Sequence, residues 1–458
     1  MEGQTERKLE WESRKLPELL RLAWPITVST LSYSIMTLVD TLLVGHLGPA
    51  ELAGVGMGGT AAFAVLCFSF GMIRGNKTLV SQAVGAGRRD LVFAYRAAAL
   101  QAAVVLGAAT IVVGQLIAPL MLHLSATREA GEATRMYFWI RNLAAPLALV
   151  GVALRETRYG EGDARSPMVA TIVGNGVNIA LATTFVYLLR WGVAGAAVAT
   201  LIAQGVESGV LWWMGRARGW RAAGATRQHM LELWRIGLPT ALQFMLEVGS
   251  FVLLAALISS LSETQMAAHQ IALQVCQFSF LPAYAVSEAA SVLAGQAVGA
   301  RRPELVLPVA HLCLRVAGAY TLVCSLVFVS CGRLIAAGFT SDPTLAAYAV
   351  RLLYVAAVFQ TFDGANIAAR CILRGVGDVR FAAVVGVVTA WVMTPPLAWL
   401  LGWRAGLGAF GGWLGLCGEC IIGALVLWQR LQRGRWRDIA EASRPAAENA
   451  EALALSGT

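Results

Sequence analysis

Apolar residues run through the chain in twelve long stretches: roughly 22–45, 50–84, 92–118, 131–154, 166–189 and 192–214, then 236–260, 264–294, 305–331, 345–370, 380–402 and 407–429. An α-helix rising about 1.5 Å per residue needs about twenty such residues to cross a hydrocarbon core of ~30 Å, so the pattern predicts twelve transmembrane helices. Polar positions inside the stretches recur at helical rather than strand spacing. Tyr33, Thr37 and Asp40 fall at i, i+4 and i+7; Thr240, Gln243, Glu247 and Ser250 share one face, as do Gln270, Gln274 and Gln277. Gln360 and Asn366 flank Asp363 at i−3 and i+3. These stripes are expected to face a cavity, with the apolar remainder against lipid or neighbouring helices.

Composition agrees. The chain is 57% hydrophobic and only 14% charged, with a mean hydropathy of +0.64, where soluble domains carry about 25% charge. The formal charge of +9 does not point to nucleic acid, because the arginines concentrate in alternate connections. Arg88, Arg89 and Arg96 follow the second stretch; Arg155, Arg158 and Arg165 the fourth; Arg216, Arg218, Arg221, Arg227 and Arg235 the sixth. Arg301, Arg302 and Arg315, then Arg370, Arg374 and Arg380, continue the alternation. Positively charged loops stay cytoplasmic, so both termini are expected inside, in a plasma membrane (the inner membrane of a bacterium). The expected domains are an amphipathic cytoplasmic N-terminus 1–21, a six-helix lobe 22–215, a basic cytoplasmic linker 216–235, a second six-helix lobe 236–430 and a disordered cytoplasmic tail 431–458. The first apolar run is too long for a cleavable signal. Eight cysteines lie mostly within apolar stretches and read as small buried hydrophobes rather than disulfides, and the five histidines lack ligand spacing. No metal site and no cofactor are expected.

The two halves repeat. SQAVGAGRRDLV (81–92) matches GQAVGARRPELV (295–306) at an offset of 214 residues, which also carries Pro25 onto Pro239 and Ala53 onto Ala267. Units with an even number of spans share orientation, so two pseudo-symmetric lobes are expected around an axis along the membrane normal, the arrangement of alternating-access transporters. Pro25 and Pro239 are candidate hinges. Asp40, Glu247 and Asp363 map at that offset onto Leu254, Tyr33 and a position near Ala148. Charges that merely packed the lobes would recur; these do not, so they are candidate functional groups, as intramembrane carboxylates are by default. Glu207 and Glu419, late in their stretches, read as structural or interfacial.

VDTLLVGHLG (39–48), SQAVGAGRRD (81–90), NIALATTFVYL (178–188), GLPTALQFMLEVGSF (237–251), AAHQIAL (267–273) and FDGANIAARCILRGVGD (362–378) resemble the multidrug and toxic compound extrusion (MATE) transporters across almost the whole chain. The resemblance implies an all-α polytopic fold with two six-helix lobes forming a V-shaped cavity. It also implies secondary active efflux of amphipathic, cationic compounds in exchange for H+ or Na+. In the NorM-like branch, the resembling acids are Glu247 and Asp363, which would bind the coupling ion, with Na+ as one alternative. That branch often has a tyrosine where this chain has Phe359, which tilts the balance toward protons. The DinF-like branch pairs the acid equivalent to Asp40 with an acid one turn after Asn178, where this chain has Ala182, so its first-lobe site is incomplete. The resemblance therefore lies closer to NorM, with Asp40 ranked below the other two acids. Tyr33, Thr37, Gln243, Gln270, Gln274, Gln277, Asn178, Gln360 and Asn366 would line the substrate cavity. Phe63, Phe244, Phe278, Phe280 and Tyr284 would add aromatic contacts to a cation.

Arg74 and Lys77 depart from that pattern. The repeat places Arg74 opposite Glu288 and Lys77 opposite Ser291. Three readings stand: a charge pair of Arg74 or Lys77 with Glu288 that gates the lobes, a basic wall for anionic, zwitterionic or lipid-linked cargo, and snorkelling to headgroups. A membrane-embedded enzyme would need a nucleophile–base pair or a metal motif, and none is visible, so no catalytic residue is assigned. A monomer suffices for the architecture.

Overall fold

The computed structural model describes residues 8–125, 127–216 and 224–442, and all of its regular structure is helical among them. The first six stretches become α1 (Lys15–Gly45), α2 (Pro49–Ala86), α3 (Arg89–Ile117), α4 (Arg128–Leu143) with α5 (Ala145–Gly160), α6 (Arg165–Thr183) and α7 (Gly192–Arg216). The second six become α8 (Arg227–Ser259), α9 (Glu263–Gly299), α10 (Val306–Phe339), α11 (Pro343–Gly375), α12 (Val379–Leu397) and α13 (Ala409–Gln432). Ten of these helices, some with their adjoining short turns, are long and apolar enough to cross a membrane, and the α4–α5 pair makes an eleventh span. The 37-residue α9 completes the twelve, its apolar character diluted by exposed glutamines.

The fourth span is broken rather than straight. α4 and α5 meet at 48°, and Pro146, in the first turn of α5, explains the break because it lacks the N–H that would continue the ladder. The repeat is visible in the backbone too. α6 ends in a π-turn at Thr184–Leu188 and α12 in another at Ala398–Arg404, and the offset of 214 carries Thr184 onto Ala398.

Several boundaries differ from the hydropathy pattern. The N-terminal amphipathic segment is not a separate helix: α1 starts at Lys15 and runs unbroken through Pro25 into the span, with Pro17 in the first turn, where its missing N–H forfeits no helix bond. Ahead of it, the buried Trp11 donates its indole N–H to Gln296 at 2.9 Å. In the linker, 227–235 already belongs to α8, while 217–223 lie outside the described residues. The tail turns at Gly434 into a short helix Arg437–Ala442 against the buried Trp436; residues 1–7 and 443–458, including the segment expected to be disordered, lie outside the described residues.

The chain divides into two compact units, one of residues 25–84 and 88–241, the other of 242–458 with 1–24 and 85–87. In the first, α6 packs on α7, and α3 packs on α5, which also touches α7. Thr171 of α6 hydrogen-bonds Glu207 of α7, and Asn175 of α6 donates to Ser32 of α1 at 2.7 Å. In the second, α11 is the hub, touching α9, α10, α12 and α13. Its buried face alternates small residues with leucines (Ala349, Leu352, Leu353, Ala356, Ala357), which brings backbones close enough for van der Waals packing to hold helices together in an apolar solvent. Beside it, the fully buried Trp413 of α13 donates to His269 of α9 at 3.1 Å and meets Phe359 edge-on. This hub helix carries the polar residues described next.

Candidate functional site

On the second unit's first long helix, Gln243, Glu247 and Ser250 form one face turned toward α12. Ser250 donates to the Ala390 carbonyl at 3.2 Å, and Gln243 and Glu247 pack onto Gly386, where any Cβ would collide with Gln243 Nε2 and Glu247 Oε1. The glycine is what lets the acid sit there. Gln243 Nε2 donates to Glu247 Oε1 at 2.8 Å. From the hub helix, Arg370 Nη1 donates to the same oxygen at 2.8 Å, an ion pair in which both side chains are largely buried. Arg370 Nη2 approaches Asn366 Oδ1 at 3.5 Å, and Arg374 Nη2 donates to Gln243 Oε1 at 2.9 Å.

Asp363 and Glu419 complete the cluster. Asp363 Oδ1 takes a weak bond from Cys420 at 3.6 Å, and Glu419 accepts the hydroxyl of Thr394. Arg370 is attracted electrostatically by Glu247, Glu419 and Asp363 together. Three carboxylates and one guanidinium therefore share one neighbourhood within a helix bundle. Gln360, one turn before Asp363, is buried, and its amide has no hydrogen-bond partner among the described residues. The described residues contain no group of three or more histidine, cysteine, aspartate or glutamate side chains able to hold a metal ion.

The first unit holds Asp40. It is buried, with Oδ1 lacking a hydrogen-bond partner among the described residues, and it feels the opposing charge of Arg141 of α4, whose Nε and Nη1 likewise lack one. Asn178 is buried and donates to Thr200 at 3.1 Å. Tyr33 and Thr37 lie on the exposed side of α1, so burial separates them from Asp40. Gln270, Gln274 and Gln277 form an exposed stripe on α9. Lys77 is buried on α2, with Arg74 half-buried over Phe70 one turn away; Glu288 is buried on α9 and accepts from Cys371 at 3.4 Å. Pro25 and Pro239 lie inside unbroken helices.

The structure thus brings Glu247, Gln243, Asn366 and Asp363 into one neighbourhood and adds residues the sequence reading assigned elsewhere. By sequence, Arg370 and Arg374 read as loop charges and Glu419 as structural or interfacial. A signal was present: Asp363, Asn366, Arg370 and Arg374 fall at i, i+3, i+7 and i+11, one continuous helix face.

A MatE family model matches residues 25–184 and again 239–400, and the two matches begin 214 residues apart, at the two prolines. The chain belongs to the MATE family. Among its relatives, the multidrug resistance protein NorM of Burkholderia vietnamiensis is 31% identical over 433 residues, covering 91% of this chain and 94% of that protein. The probable multidrug resistance protein NorM of Pseudomonas syringae pv. tomato is 29% identical over 428 residues, covering 89% and 93%. The fold is also that of solved structures. A MATE crystal structure in a bent conformation superposes with a TM-score of 0.86 at 22% identity, covering 94% of this chain and 97% of the other. A MOP superfamily transporter from Pyrococcus furiosus gives 0.85, also at 22%. This MATE protein is therefore a multi-pass membrane protein of a transporter family rather than an enzyme, and its relatives are NorM-like.

Proposed function

We propose that this protein is a secondary active multidrug exporter. It expels amphipathic organic cations from the cytoplasm in exchange for a coupling ion, H+ or Na+, by alternating access, as a monomer in a bacterial inner membrane with both termini cytoplasmic. The observation that carries the reading is the cluster of Glu247, Asp363 and Glu419 around Arg370 inside an apolar bundle. Intramembrane carboxylates are costly to keep and need a compensating role, and a carboxyl whose surroundings alternate between dry and wet loads and releases a cation as they change. The relatives' names supply the substrate class. Asp40, with a buried oxygen that has no partner among the described residues, is the first-lobe group able to take part.

The test is ethidium efflux from reconstituted vesicles under separately imposed proton and sodium gradients, with wild type, Glu247→Gln and Asp363→Asn. Efflux driven by a gradient and lost in both variants is the expected result. No ethidium movement under either gradient refutes cationic cargo and leaves anionic cargo, with Arg74 and Lys77 as the groups to examine.

A further inference from the structure

Glu247 lies where a coupling cation would bind, yet its Oε1 and the amide oxygens of Gln243 and Asn366 beside it already face N–H donors. Oε1 of Glu247 accepts from both Arg370 Nη1 and Gln243 Nε2, each at 2.8 Å. Oε1 of Gln243, the next nearest amide oxygen, accepts from Arg374 Nη2 at 2.9 Å, and Oδ1 of Asn366 faces Arg370 Nη2 at 3.5 Å. A sodium ion is hard and needs several oxygen lone pairs converging on it. Here a carboxylate and two amides instead converge on guanidinium N–H groups. Arginine stays protonated at any physiological pH, so the charge it supplies is permanent.

We propose that Arg370 is a built-in monovalent cation of the second lobe, its guanidinium taking the place at Glu247 that sodium would need and closing the Glu247 site to sodium. This rests on the exporter reading and deepens it: the ion exchanged at this site is the proton. The titratable and charged groups facing Arg370 are Glu247 from α8, Asp363 and Arg374 on its own helix, and Glu419 and Cys420 from α13. With Glu247 held by Arg370, the carboxyls left to exchange a proton are Asp363 and Glu419, each with one uncharged donor, Cys420 and Thr394.

The experiment is a sodium titration of the purified full chain at constant ionic strength, choline replaced stepwise by sodium, read as tracer sodium retained and as the apparent melting temperature. Wild type, Glu247→Gln, Arg370→Met and the double variant Arg370→Met/Glu247→Gln are compared. Wild type is expected to show no saturable response. Arg370→Met is expected to retain one sodium per chain and to melt higher with sodium, and the double variant to lose both effects. A saturable response in wild type that Glu247→Gln abolishes overturns the proposal, as does a folded Arg370→Met that ignores sodium. Should Arg370→Met not fold, wild type decides alone, its silence upholding the proposal and its response overturning it. No drug and no gradient enter this titration, so absent ethidium efflux would defeat the cationic-cargo reading and leave this result standing.

Discussion

Removing Glu247 and removing Arg370 should have unequal effects on stability, although the two form one ion pair. The pair sits at 2.8 Å with both side chains largely buried, so its gross attraction is about 6 kcal/mol at an effective dielectric near 20. Most of that is offset by the cost of taking two charges out of water, and the meaningful quantity is what remains when one partner is cut away. Glu247→Ala leaves a guanidinium that cannot give up its proton, buried with only Asn366 at 3.5 Å and the more weakly paired Asp363 and Glu419 for compensation. A loss of roughly 3–5 kcal/mol is expected. Arg370→Met leaves a carboxylate that keeps its bond from Gln243, so its loss should be smaller, about 1.5–3 kcal/mol, the size of one hydrogen bond to a charged group. The double variant Glu247→Ala/Arg370→Met should recover most of the Glu247→Ala loss. The assay is the melting temperature of detergent-purified protein by fluorescence-detected size exclusion, run as a double-mutant cycle. Equal losses in the two single variants, or losses that simply add in the double, would refute the reasoning.

Three more outcomes follow from the same geometry. Gly386→Ala should lower stability by about 1–3 kcal/mol and reduce efflux, because its Cβ needs the space held by Gln243 Nε2 and Glu247 Oε1; unchanged melting and transport would show that α12 yields freely. Trp413→Ala should cost roughly 3–5 kcal/mol, since it empties a fully buried ring site and strips His269 of its donor, whereas Trp413→Phe should retain part of the packing; both are read by thermal melts. In the α11–α12 connection, burial raises the Asp378 carboxyl above its usual range although its bond with Arg430 opposes this. A raised carboxyl contributes stability fully below its unfolded value, about 3.9, and loses it as pH climbs through the folded value. Arg430→Met pushes Asp378 higher still, so the variant should lose more melting temperature than wild type as pH rises from below the unfolded value through the folded one.

Much of this protein is determined locally. Stretches of about twenty apolar residues must be helices in a bilayer, since no other open structure satisfies the backbone there, and the basic connections predict which ends stay inside. The recurrence of SQAVGAGRRDLV as GQAVGARRPELV at an offset of 214 announces two related halves, and Gln243, Glu247, Asp363 and Asn366 stand out because polar groups are rare in such stretches. What the tertiary structure alone decided is which of these meet, and with what. Arg370 lies close to the end of an apolar stretch and reads as a loop charge, yet α11 extends to Gly375 and turns it onto a carboxylate 123 residues away. Glu419 and Trp413 depend in the same way on the rotation of α13 against its neighbours. Hydropathy averages over a window and so blurs the last turns of a helix. Period assigns a face, while the partner of that face is set by how small residues such as Gly375, against the Ser291 carbonyl, let particular helices close together, a property of the packed bundle rather than of any one segment.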